Sequence, residues 1–207
     1  MKTVGVLDYG VGNIQSVANA FDKVGVSWHL ITEAREVSRY ERLLLPGVGG
    51  FGTAMSRLTE TGLGSAVCTS ANAGTPLLGI CLGMQLLGGS SEESPGCPGL
   101  GLLDGRTVAI DTRSVSTNTG FRTVEIADPR RESYDGSPVR DYYFNHGYQL
   151  LPEQPSAVTG ILNWNHCEVV AAVRSHNVMG VQFHPEKSQG QGLAVLRAFS
   201  TSGELRL

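Results

Sequence analysis

The chain has 207 residues, of which 41% are hydrophobic and 17% charged, with a formal net charge of −3. That balance suits a single globular unit over 1–207 and excludes a basic nucleic-acid surface or an acidic tail. No apolar run approaches membrane-spanning length and no signal peptide precedes the first strand-like run. A cytoplasmic protein with neither nucleic acid nor membrane as partner is expected. The cysteines at 68, 81, 97 and 167 show no metal-ligand spacing, so no structural metal and no cofactor are expected.

The first half alternates strand and helix signals. A strand is predicted over 3–7, ending in the Gly-rich turn Asp8-Tyr9-Gly10-Val11-Gly12-Asn13. A helix follows over 14–24, with Ile14, Val17, Ala18, Phe21 and Val24 on one face and Gly25 at its end. A strand over 27–31 leads to a short helix through Val37 that Thr32 is expected to cap. A strand over 42–45 ends in Pro46-Gly47-Val48-Gly49-Gly50, and helices are predicted over 51–59 and 65–73. A fourth strand over 77–80 runs into a helix from Leu82 to Leu87.

This β-α repetition predicts an α/β fold: a mostly parallel open sheet flanked by helices, with ligands at the carboxyl ends of its strands. In the second half, strands are predicted over 108–110, 123–126, 142–144, 158–162, 169–173 and 178–182 with little helix between, which predicts a mixed or antiparallel extension. An amphipathic helix over 191–200 closes the chain. The stretch 90–103 reads as a surface loop and 111–118 as a polar, mobile segment.

Cys81 sits between Gly79 and Gly83, after a strand and before a helix. This is the spacing of a nucleophile elbow with Cys in place of Ser. The alternative is an inert buried thiol. A second motif tips the balance. His184 follows a strand directly, Pro185 forces a turn, and Glu186 can fold back onto the imidazole. Cysteine, histidine and carboxylate then make a nucleophile, a base and an orienter. Backbone N–H groups of Leu82 and of the Gly47-Val48-Gly49 loop are available to an oxyanion. Gly10-Val11-Gly12 lacks the third glycine of a dinucleotide fingerprint and has no phosphate-binding lysine near it.

The elbow, the Pro46–Gly49 loop and His184-Pro185-Glu186, in this order, resemble the class I (triad) glutamine amidotransferases. The runs Asp8–Asn13 and Phe183–Ser188 narrow the resemblance to the glutaminase subunits of imidazole glycerol phosphate synthase. The resemblance implies that Cys81 attacks L-glutamine, forms a thioester and releases ammonia to a (β/α)8 cyclase-type or other synthase subunit. Gly49, Gln85, Glu93 and Gly147 would hold the glutamine. Val48 and Leu82 would supply oxyanion donors, and Asn13, Phe121, Arg122 and Lys187 would lie at the partner face. Where such proteins usually carry Trp-Asn, this chain carries Phe121-Arg122, and Asn145 and Gly147 alter a second run. A paralogue feeding another synthetase, such as a sugar-amidating enzyme, is therefore a second expectation. A standalone γ-glutamyl amide hydrolase and a non-enzymatic binding subunit are further alternatives.

Overall fold

Side chains of the early strands alternate between two cores, as period-two pleating requires. Val4, Val6, Leu44, Leu78 and Ile80 enter one apolar cluster, while Leu7, Leu43, Leu45 and Leu77 enter the other. The computed structural model describes residues 3–110, 117–126 and 139–207. Its first half comprises β1 (Val4–Leu7), α1 (Ile14–Val24), β2 (Trp28–Ile31), β3 (Arg42–Leu45), α2 (Phe51–Glu60), α3 (Leu63–Asn72), β4 (Leu77–Ile80) and α4 (Leu82–Leu86). Then follow β5 (Ser90–Ser91), β6 (Gly105–Ala109), β7 (Asn118–Ile126), β8 (Val139–His146), β9 (Tyr148–Pro152), β10 (Val158–Trp164), β11 (Cys167–Ser175), β12 (Val178–Val181) and α5 (Gln189–Ser202).

The large sheet has the order β2-β1-β3-β4-β12-β11-β10-β7-β8. From β2 to β12 the pairings are parallel; from β12 to β8 they are antiparallel. Helices α1 and α5 pack on one face through Val17, Phe21, Leu196 and Phe199. On the other face α2 and α3 pack through Phe51, Leu58, Leu63 and Val67. The parallel half, its antiparallel extension and the closing helix thus match expectation. Among the described residues, no helix is long and apolar enough to cross a membrane.

Three local expectations are corrected, and a fourth falls largely outside the described residues. Thr32 does not cap a helix: a 3-10 turn over Ala34–Arg39 has Glu33 at its N-cap and no side-chain capping bond. The strand expected at 108–110 is β6, which leaves the large sheet and joins β5 and β9 in a small one of order β5-β6-β9. The stretch 90–103 is more than a surface loop, since it contains β5 and buries Ser91 and Leu103. Of the segment 111–118, residues 111–116 lie outside the described ones, and Asn118 is a fully buried member of β7.

The β4–α4 turn is held by backbone-to-backbone contact. A Cβ placed on Gly79 would lie 2.6 Å from the Gly83 carbonyl oxygen, and one on Gly83 only 1.9 Å from that of Leu45. No side chain fits at either site, because the obstacle is main chain. We expect Gly83→Ala to lower the melting temperature by roughly 2–12 °C in calorimetry, from an overpacking cost of about 1–3 kcal/mol. Gly190→Ala, whose Cβ meets nothing within 4 Å, is expected to leave it unchanged or raise it slightly.

Candidate active site

Cys81 follows β4 directly and takes φ 55°, ψ −111°, a conformation that strains a non-glycine residue. Three bonds hold it there. Its amide donates to the Val181 carbonyl at 2.8 Å, and its carbonyl accepts from the Met84 amide at 3.1 Å and the Gln85 amide at 3.3 Å. The side chain is 6% exposed at the floor of a cleft of about 880 Å³.

β12 lies beside β4 with Ile80 opposite Val181. The chain leaving β12 therefore runs past Cys81 and turns at Pro185, which brings His184 into the cleft that Cys81 lines. His184 Nδ1 meets Glu186 Oε1 at 2.8 Å, and both side chains are buried. Burial alone would lower the His184 pKa. Hydrogen bonds to Cys81 and Glu186, and their charges, outweigh it and push the value up to about 10. The turn is clamped from β8: the His184 amide donates to the Tyr143 carbonyl at 2.8 Å, and Ser188 Oγ donates to the His184 carbonyl at 2.6 Å. The Tyr143 amide in turn donates to Ser188 Oγ at 2.9 Å.

The Pro46–Gly49 loop touches the elbow. A Cβ on Gly47 would lie 2.9 Å from the Gly83 nitrogen and 3.0 Å from Leu82 Cβ, so only glycine lets the loop approach this closely. Tyr9 pins the loop by donating its hydroxyl to the Pro46 carbonyl at 2.7 Å. Burial, and then the nearby Cys81 and Asp8 charges, push the Tyr9 pKa well up, so it remains a neutral donor. Val48, Gly49 and Leu82 line the cleft together with Cys81.

Gln85, Glu93 and Gly147 line the same cleft. Glu93 also caps α2, accepting from the Phe51 amide at 2.9 Å. Gln85 donates through Nε2 to the Tyr148 carbonyl at 3.0 Å and to Gln182 Oε1 at 3.1 Å, which leaves its own amide oxygen to accept. At the rim, Phe121 is 45% exposed and packs edge-on against Tyr143, whose ring lies 5.6 Å from Lys187 Nζ. Asn13 instead spends its side-chain oxygen on the N-terminus of α1, accepting from the Ser16 amide at 3.3 Å. Among the described residues, no group of three or more His, Cys, Asp and Glu side chains is placed to hold a metal ion.

Residue-type reasoning did not single out Tyr9, His146, Tyr148, Gln182 or Ser188. All five nonetheless lie in or beside runs that stood out: Tyr9 in the Asp8–Asn13 turn, His146 and Tyr148 on either side of Gly147, and Gln182 and Ser188 beside the His184 motif. His146 is buried beside the cleft, with Nδ1 2.8 Å from the Tyr148 carbonyl and Nε2 3.1 Å from Asn118 Nδ2. A carbonyl only accepts, so Nδ1 carries the proton and Nε2 accepts from the amide.

The model of the glutamine amidotransferase class-I family matches residues 5–201. The chain belongs to that family. It is 38% identical over 206 residues to imidazole glycerol phosphate synthase subunit HisH of Moorella thermoacetica, covering 99% of this chain and 96% of that protein. It is 39% identical to the HisH subunit of Geobacillus thermodenitrificans, with 96% and 95% covered. A solved glutamine amidotransferase superposes with a TM-score of 0.74 at 20% identity, over 95% of this chain and 97% of that one, a likeness of fold.

Burial, offset in part by the bond to Tyr148, pushes the His146 pKa down from 6.5 to about 4. A depressed folded value means that the unfolded chain takes up the proton first. The His146 contribution to stability is therefore whole above pH 6.5 and is lost as the pH falls towards 4. Thermal melts should show this loss in that window, and His146→Gln, which cannot titrate, should flatten it.

Proposed function

We propose that this chain is a glutaminase subunit, spanning 1–207 as one catalytic unit, that hydrolyses L-glutamine to glutamate and ammonia. The ammonia passes to a cyclase subunit of the imidazole glycerol phosphate synthase type, in histidine biosynthesis. The observation that carries the chemistry is the buried His184–Glu186 pair at 2.8 Å beside a strained Cys81 in an open cleft. The full-length likeness to HisH subunits supports the acceptor. The pair works in the cytoplasm, which suits the free thiols at Cys68, Cys81, Cys97 and Cys167.

The steps follow from the geometry. Glu186 holds His184 as an imidazolium, the partner that a cysteine thiolate needs. The thiolate attacks the side-chain amide carbon, and the developing oxyanion accepts from the Leu82 and Val48 amides. His184 gives its proton to the leaving nitrogen, ammonia departs and a thioester remains. His184 then takes a proton from water, whose oxygen attacks the thioester carbon. The C–S bond breaks, releasing glutamate and restoring the thiolate. Gln85 and Glu93 present acceptor oxygens to the substrate ammonium, with Gly49 and Gly147 beside it. The cyclase, a (β/α)8 barrel, would dock on the rim that carries Asn13, Phe121, Arg122 and Lys187.

One feature bears on the alternative acceptor, a sugar-amidating synthetase. Arg122 donates to its own strand, to the Phe121 carbonyl at 2.7 Å and the Thr119 carbonyl at 3.0 Å. Its charge thus enters an interface already partly satisfied, which lessens the obstacle to the standard pairing.

Cys81→Ala should lower glutamate release by at least about a thousandfold while the fold is kept. Near-normal turnover by that variant would overturn the assignment. Affinity capture of the tagged chain from its source cells is expected to bring down a cyclase-type subunit and to raise glutaminase turnover. Capture of a different ammonia-consuming synthetase would reassign the acceptor.

A further inference from the structure

Gln182 is fully buried, stands two residues before His184, and has no place in the steps above. In the parallel ladder Ile80 faces Val181, so the next residues outward are Cys81 and Gln182. The Gln182 Nε2 group lies 3.8 Å from Cys81 Sγ, within the reach of an N–H···S hydrogen bond.

The direction of this bond is set by its neighbours. The Tyr148 carbonyl can only accept, and it faces Gln85 Nε2 at 3.0 Å, so the Gln85 amino group points there. The second hydrogen of that group faces Gln182 at 3.1 Å, which must present its oxygen. The Gln182 amino group is thereby turned to the sulfur and cannot flip without setting two donors against each other. The same carbonyl also receives His146 Nδ1 at 2.8 Å, which makes it the anchor of the whole chain.

We propose that Gln182 is a further catalytic residue, a fixed amide donor that stabilises the Cys81 thiolate and aims the sulfur, and that through Gln85 it ties this donor to the site where substrate is held. This rests on Cys81 being the nucleophile. A hydrogen bond to a thiolate is stronger than one to a thiol, so a donor held at the sulfur favours the charged form. Gln182 approaches from the strand side and His184 from the turn that follows. The two give the sulfur a defined direction before substrate arrives. Gln85 donates to the Gln182 oxygen, so a substrate ammonium accepted by the free oxygen of Gln85 polarises the same chain of amides.

The test is alkylation of the full-length chain by iodoacetamide across pH, with the Cys81 peptide followed by mass spectrometry. Gln182→Met keeps length and removes the donor. Gln182→Glu keeps shape and the contact to Gln85 while replacing the donor by a carboxylate. The midpoint of Cys81 alkylation is expected to rise by about half a pH unit or more in either folded variant. With glutamine as substrate, kcat should fall by roughly tenfold, more than KM changes. A midpoint unchanged in a variant that melts as a folded protein would overturn the proposal, whatever its activity. Failure of the underlying reading looks different: the wild-type Cys81 would then react no faster than Cys68, Cys97 and Cys167.

Discussion

The parallel pairing of β12 with β4 is the contact on which the rest depends. It joins segments about a hundred residues apart and sets Ile80 against Val181, so that both chains leave the sheet at one level. The Cys81 amide closes the ladder on the Val181 carbonyl at 2.8 Å. A slip of one residue would turn His184 and Gln182 to the opposite face of the sheet. The geometry of the candidate site is thus a matter of register, enforced by buried apolar side chains on both faces.

The elbow places a second demand on the same strands. Cys81 is tolerated at positive φ because main chain packs against main chain through Gly79 and Gly83, leaving the turn no room to relax. The Pro46–Gly49 loop leans on the same turn through Gly47 and is pinned by Tyr9. Cys81 and the Pro46–Gly49 loop therefore meet in one close contact, built from four strand ends. His184 enters from the other side, clamped between Tyr143 and Ser188. Contacts on both sides hold cysteine and histidine in a fixed relation, as the proposed general-base chemistry requires.

Polar groups beneath the cleft are joined rather than scattered. Asn118, His146, the Tyr148 carbonyl, Gln85 and Gln182 form a buried chain that ends at the sulfur. Most of these buried polar atoms meet a complementary one; Asn118 Oδ1 does not, and the Gln85 amide oxygen is left to accept. The chain starts on β7, the strand that exposes Phe121 at the rim, so floor and rim of the site are built on the same hairpin.

Local chemistry was legible from residue order alone. Apolar runs bounded by glycine marked β1, β3, β4 and α1 almost to the residue. Gly79-Ile80-Cys81-Leu82-Gly83 and His184-Pro185-Glu186 each signal a turn through their own residue types, although the amides of Cys81 and His184 close on Val181 and Tyr143, far away in the chain. What depended on distant partners was not legible. β6 and β9 form a separate sheet because each finds its partner about forty residues away. Glu93 caps a helix forty-two residues before it. Gln182 reads as a polar residue at the end of a strand until pairing sets it beside Cys81. Side-chain type determined which chemistry this chain can perform. Only the sheet register decided which side chains meet, because pairing and the satisfaction of buried polar groups are properties of the folded whole.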